Sequence, residues 1–413
     1  MSVIKPFSAL RPKKEYASQV AALPYDVMNS DEAREKVKDL PYSFLHVDKA
    51  EIDLPLGTDL YSDEVYAKAA ENLRKLESDG ICVRDSKKNL YIYRQTMGKT
   101  VQTGVVGCAS VDDYINGVIK RHELTRADKE EDRIRHVDTC DANTGPIFLA
   151  YRQSDEINGI IDKYTALVPE YDFVSDGDVR NEVWVISDDG DINALVEGFK
   201  NIESLYIADG HHRAASAVKV ALKRRAANPG YTGDEEFNFF LAVYFRASDL
   251  KILDYNRLIK DLNGHSVDEV LSLLGEDFDI KENNGAYHPE KRHTFGMYLD
   301  KKWYALTLKD GKADESDPVA SLDVSILQDR VNSRIFGIGD PRTDKRIDFV
   351  GGIRGLKELE KRCNEDMALA FAMYPTSLDE LMSIADASKI MPPKSTWFEP
   401  KLLSGLFVHF LGK

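Results

Sequence analysis

Short apolar runs and polar stretches follow one another along this chain with no regular strand–helix alternation. Residues 90–96 and 100–110 alternate about Gly98 and are β-branched enough to predict a β-hairpin. Residues 147–152, 183–187 and 205–208 read as further strands. The almost wholly apolar run 237–246 reads as a central strand beside the turn that follows residue 208. Helices are predicted over 63–78, closed by Asp79-Gly80, over the charged stretch 127–142 and over the Ala-rich stretch 214–227. Near the start, Leu23-Pro24-Tyr25-Asp26-Val27 is extended or turning, because a proline pushes the residue before it out of the helical region. Asn29-Ser30-Asp31-Glu32 then opens a helix with capping side chains and early acids, and Asp26 is read as a cap for it.

Farther on, a helix over 267–274 and strand-like runs at 293–299 and 303–308 suggest a small α+β insertion at 265–320. Residues 321–413 read as a helix-rich C-terminal part packing back on a main core formed by 1–264. The expected fold class is therefore α+β with a mixed sheet, since doubly wound sheets require repeated βαβ units.

A length of 413 residues suits two or three domains, and 43% hydrophobic with 30% charged residues suits a packed globular protein. No window approaches a membrane span, and the opening Met-Ser-Val-Ile-Lys-Pro-Phe lacks an apolar signal core, so a cytoplasmic location is expected. The four cysteines, Cys82, Cys108, Cys140 and Cys363, have neither disulfide-framework nor zinc-site spacing. A net charge of −15 argues against nucleic acid, whose phosphates must be neutralised by Lys and Arg. The local basic run from Lys219 to Arg225 reads more simply as a solvated helix face.

The stretch 205–213, Leu-Tyr-Ile-Ala-Asp-Gly-His-His-Arg, carries the strongest chemistry. An apolar strand turns on Gly210 into a helix, and a helix start offers unpaired N–H groups to an anion. His211, His212 and Arg213 add side-chain donors and cations there, and Asp209 adds a carboxylate able to hold a metal ion or orient a hydroxyl. An isolated Asp-Gly would be only a turn signal. The run of polar residues between two apolar elements favours a phosphate site. Arg121-His122-Glu123 forms a second polar group, in which neighbouring cations favour an ionised Glu123 able to accept a proton from a hydroxyl. A third lies at Met391-Pro392-Pro393-Lys394-Ser395-Thr396, where two prolines stiffen the backbone before Lys394. Lys394, Ser395, Thr396 and the nearby Lys401 are candidates to bind phosphate or carboxylate. No Walker loop, His-Glu-x-x-His or Gly-x-Ser-x-Gly is present.

Six ordered segments resemble a widespread prokaryotic family catalogued as domain of unknown function 1015. They are Pro24–Val27, Arg121–Thr125, Asp132-Arg133, Asn143 with Pro146-Ile147-Phe148, Ala208–Arg213 and Met391–Thr396. More distantly, Asp-Gly-His-His-Arg resembles the phosphate-contacting turn of the ParB/sulfiredoxin superfamily, and within it the kinases of free L-serine. That resemblance implies a ParB/sulfiredoxin-like strand–turn–helix phosphate site. Gly210, His211, His212, Arg213, Lys394, Ser395 and Thr396 would bind nucleotide, with Arg121 and His122 on the substrate. Glu123 would be the base, and Asp209 would serve in catalysis and as a Mg²⁺ ligand. Glu123 and Asp209 stand 86 residues apart, farther than in the compact kinases. The implied activity transfers phosphate from ATP or ADP to a small hydroxylated metabolite, serine preferred. The alternatives are a ParB-like nucleotide-binding module without turnover and, with less support, a DNA-binding regulator. A homodimer is an arrangement open to each of them.

Overall fold

The hairpin about Gly98 lies near the middle of a nine-stranded mixed sheet. The computed structural model describes residues 1–412 and divides into two units, one of residues 1–250 with the segment beginning at Pro400, the other Lys251–Glu399. In the first unit the sheet strands are β1 (Ile4–Lys5), β2 (Leu90–Met97), β3 (Thr100–Ser110), β4 (Ile119–Lys120) and β5 (Ile147–Tyr151). They continue with β6 (Tyr171–Ser175), β7 (Val179–Ile186), β8 (Leu205–Asp209) and β9 (Phe239–Arg246). Their order is β4-β8-β5-β9-β3-β2-β7-β6, with β1 on β3. The strand expected beside the Asp-Gly turn, β9, is one place removed from it. β5 lies between, parallel to β9 and antiparallel to β8. All five residues of β5 are buried, as are most of β9, so hydropathy alone does not rank the two.

Three helices matter for the site: α1 (Asp63–Ser78), α2 (Ala127–Cys140) and α3 (His211–Ala227). α3 buries Ala214, Ala217, Val218 and Ala221 in the same core as Ile147, Leu149, Leu205 and Ile207. Its opposite face docks on α2. There the basic run is spent within the chain: Lys219 pairs with Glu130, Lys223 and Arg224 with Asp138, and Arg225 with Asp112. α1 buries Val65, Tyr66, Ala69, Leu73 and Leu76 along one stripe. Near the N-terminus the cap is Asn29, not Asp26. Asn29 accepts from the Glu32 N–H, and Glu32 accepts from the Asn29 N–H in return.

The second unit holds a six-stranded antiparallel sheet: β10 (Tyr255–Ile259), β11 (Phe278–Asn283), β12 (Thr294–Leu299), β13 (Lys302–Leu308), β14 (Ile347–Gly351) and β15 (Leu369–Ala372). The order is β11-β13-β12-β15-β10-β14. Residues 265–320 and 321–399 thus share one sheet rather than forming an insertion and a separate helical part, and β10 starts before residue 264. β15 reads Leu-Ala-Phe-Ala and is fully buried, a short apolar run without the strand signature of β-branched residues. At the unit's ends, Lys251–Leu253 pairs antiparallel with Trp397–Glu399. From Pro400 the chain rejoins the first unit, where Ser404 pairs with Ala22, Val408 with Leu10 and His409–Phe410 with Ala142–Asn143. Among the described residues no helix is long and apolar enough to cross a membrane. Cys82, Cys108 and Cys140 are buried free thiols, and Cys363 is a partly exposed one.

Candidate active site

β4 and β8 run parallel, with Ile119 opposite Leu205 and Lys120 opposite Tyr206. This register pairs residues 86 apart, the same separation as that of Glu123 and Asp209. The offset persists beyond the strands. The Arg126 N–H donates to His212 Nε2 at 3.0 Å, and Ser216 Oγ donates to the Glu130 carbonyl at 3.1 Å, each again 86 residues apart. The excursion between them is no obstacle, because it builds β5, β6, β7 and the α2 helix before the chain returns to pair with β4. The two polar groups singled out in the sequence therefore leave the sheet at the same end, side by side.

At the end of β8, Gly210 takes φ +91°, a left-handed conformation in which a side chain is strained. It starts α3 with no side-chain cap and no acid in the first turn. The Arg213 guanidinium folds back over this turn, donating to the Pro146 carbonyl at 2.6 Å and to Asp209 Oδ2 at 3.3 Å. Lys401 Nζ lies 3.7 Å from the same oxygen. Burial works to raise the Asp209 pKa. The charges of Lys401 and Arg213, with the Gly210 N–H, outweigh it and hold this partly buried carboxyl below its ordinary range. Lys401 is set in place through its backbone. Gln95 donates to the Lys401 carbonyl at 2.9 Å and Gln102 to the Pro400 carbonyl at 3.0 Å, both from the buried face of the hairpin.

Beside this cation pair stands a buried histidine cluster. The His122 and His211 rings meet edge to face, centroids 4.5 Å apart at 87°. His211 Nδ1 is 3.9 Å from Glu123 Oε2. Burial pushes His122 down to about 4 and His211 well below its usual range, so both are neutral at pH 7. His212 is also lowered by burial, and its Nε2 accepts a backbone N–H, which fixes a neutral tautomer. The two motif histidines expected as cations are thus neutral, and positive charge at the turn rests on Arg213 and Lys401. Arg121 points outward, stacked on the Tyr114 ring at 5.0 Å.

The family described as protein of unknown function (DUF1015) matches residues 4–325. The chain belongs to this family. No curated protein matches it. Among solved structures, a free serine kinase in complex with AMP has 15% identity and a TM-score of 0.35, over 71% of this chain and 86% of that one. A conserved hypothetical protein from Pyrococcus furiosus has 16% identity and a TM-score of 0.33, over 74% and 96%. SbnI from Staphylococcus aureus, truncated at its C-terminus, has 12% identity and a TM-score of 0.38, over 72% and 85%. These TM-scores are too low to establish a common fold.

In this DUF1015 chain, four of the six segments that carry the resemblance meet around one small pocket. Pro24, Tyr25, Arg133, Asn143, Ile147 and Arg213 are among its walls. Arg133 is buried, stacks over the Tyr25 ring at 4.1 Å and donates to Asp132 at 2.9 Å, while Tyr66 donates to the other Asp132 oxygen at 3.0 Å. Arg133 and Tyr25 lie in the segments that carry the family resemblance, and their role is visible only in the fold. The signal is an Asp-Arg pair inside a highly charged helix, between Glu131 and Ile134, which alone resembles any surface ion pair. Lys394, Ser395 and Thr396 belong to the second unit. There Lys394 is exposed with its ammonium 5.6 Å from the Tyr255 ring, and Ser395 is buried, its Oγ donating to the Pro392 carbonyl at 2.6 Å.

Proposed function

We propose that this protein is a phosphotransferase moving a phosphoryl group from ATP or ADP to the hydroxyl of a small metabolite, with free serine the preferred acceptor. The observation that carries the reading is the parallel register that sets Glu123 level with Asp209 at the start of α3. Phosphoryl transfer is mostly positioning and charge neutralisation, and this corner supplies both. The open N–H groups of α3, with Arg213 and Lys401, cradle phosphate oxygens in the manner of a ParB/sulfiredoxin-like turn. Asp209 holds the two cations in place before the nucleotide arrives. His211 and His212 donate or accept as neutral imidazoles. Glu123, half-exposed beside them, takes the proton of the acceptor hydroxyl. That oxygen bonds to the terminal phosphorus, the bond from phosphorus to the bridging oxygen breaks, and the electron pair leaves with the shortened nucleotide.

A resident Mg²⁺ on Asp209 does not fit this donor set. Mg²⁺ takes one or two protein carboxylates and completes its octahedron with waters and substrate phosphates, so its protein ligand must be free of competing cations. Asp209 offers one carboxylate whose Oδ2 already faces Arg213 and Lys401. Mg²⁺ therefore enters the reading only as the counter-ion carried by the nucleotide substrate.

The test is incubation of folded protein with serine and the Mg²⁺ complex of ATP or ADP, following phosphoserine by ³¹P NMR. Phosphoserine accumulating beyond one equivalent supports the reading, and Glu123→Gln should abolish it. Nucleotide that binds without being consumed, across a panel of hydroxylated metabolites, refutes turnover.

A further inference from the structure

The histidine cluster poses a question that phosphoryl transfer leaves unanswered. His122 is 2% exposed and His211 is 6% exposed. Neither ring nitrogen of His122 has a hydrogen-bond partner, and neither does His211 Nε2. A neutral imidazole has one donor and one acceptor, and leaving such a group unpaired in the interior costs on the order of 1–3 kcal/mol. Two adjacent histidines carry this cost, and each has a ring nitrogen within 4.8 Å of a Glu123 carboxylate oxygen. The other two buried histidines are paired, His136 with the Val47 carbonyl and His409 with Asn143 and Glu236, and the half-buried His46 lacks a partner at Nε2 alone.

We infer that His122, Glu123 and His211 form a binding site for a divalent first-row transition metal of the Zn²⁺ class. One ligand atom from each residue lies within 4.8 Å of the others. Ligand atoms about 2.1 Å from a tetrahedral ion sit about 3.4 Å apart, so side-chain rotation closes the site with little backbone movement. Two imidazole nitrogens and one carboxylate oxygen suit Zn²⁺, Co²⁺ or Fe²⁺ and not Mg²⁺, which prefers oxygen alone. Three protein ligands leave a position for water or for an oxygen of a small substrate. The fold explains the geometry. His122 and Glu123 are consecutive just past β4, His211 opens α3 just past β8, and the parallel register brings the two strand ends together. The sequence hides the set because its parts are one residue and then 88 residues apart, with no recognised ligand spacing.

A carboxylate that ligates the metal is not at the same time the free base of the phosphotransferase reading, so the site is tested apart from that reading, by affinity measured without turnover. Full-length protein stripped with a chelator is titrated with Co²⁺, following the visible ligand-field band, and then with competing Zn²⁺ or Mg²⁺. Expected is one Co²⁺ per chain, displaced by Zn²⁺ and not by millimolar Mg²⁺. His122→Asn, His211→Asn and Glu123→Ala should each weaken binding by roughly tenfold or more. His265→Asn, in the second unit, should not change it. Absence of the band, or a band of equal affinity in the ligand variants, overturns the proposal. Should the buried histidine variants fail to fold by circular dichroism, the half-exposed Glu123→Ala decides alone: weakened binding upholds the site and unchanged binding removes it.

Discussion

Replacing Gly210 by alanine tests the corner on which the site is built. At φ +91° the backbone is left-handed, which costs a residue with a Cβ about 1–2 kcal/mol. The new Cβ would also stand 3.1 Å from Arg213 Nε and 3.3 Å from its Cζ and Nη2. The guanidinium must then shift by a few tenths of an ångström while it bridges Asp209 and the Pro146 carbonyl. A hydrogen bond to a charged group contributes about 1.5–3 kcal/mol, so partial loss of one adds at most a similar amount. For a unit of this size each kcal/mol lowers Tm by about 2–4 °C, and the backbone share alone predicts a fall of about 2–8 °C. Differential scanning calorimetry measures the fall, and nucleotide affinity from isothermal titration measures what happens to Arg213. Gly210→Asn separates the two causes, because asparagine tolerates the left-handed region but carries the same Cβ. It should melt above the alanine variant while binding nucleotide as poorly. An alanine variant with Tm within about 1 °C of the parent and unchanged affinity would refute the reasoning.

Three further outcomes follow from the same geometry. Asp209→Asn should stop turnover and destabilise the protein at pH 7. Because the folded pKa is depressed, the stabilisation exists above the unfolded value of about 3.9 and disappears as pH falls through the folded value. Urea unfolding should therefore show a gap between variant and parent at pH 7 that narrows as pH falls below about 3.9. Lys401→Met should leave the fold intact, raise the Asp209 pKa and weaken nucleotide binding by about 10- to 100-fold, read by titration calorimetry. Burial acts to raise Glu236, but bonds from His409 and Lys88 hold it down to about 2, against an ordinary 4.5. Its contribution is present above pH 4.5 and lost between there and about 2, so Glu236→Gln should flatten that part of the parent's acid-unfolding curve, followed by circular dichroism.

Local features of the chain were legible and non-local ones were not. Helices Asp63–Ser78 and Val267–Leu274, and the Gly98 hairpin, announce themselves because apolar period and turn residues lie within one short window. The Asp-Gly corner is equally local, with Arg213 four residues past Asp209 and so able to reach back to it. β15 was not legible, since Leu369–Ala372 becomes a strand only through its neighbours β10 and β12. The meeting of Glu123 with His211 depends on a register between strands far apart in sequence. Lys401 is positioned by two glutamines some 300 residues earlier. The protonation of the histidines followed from burial, which a run of polar letters suggests in the wrong direction.

The pairing of Lys251–Leu253 with Trp397–Glu399 means that the chain enters and leaves the second unit along neighbouring strands, about 5 Å apart. That whole unit is thus a detour from which the polypeptide returns almost to where it departed. Splicing residue 250 to residue 400 through a short turn should yield a miniature bearing Lys401, whereas stopping the gene after residue 250 would discard the lysine that faces Asp209.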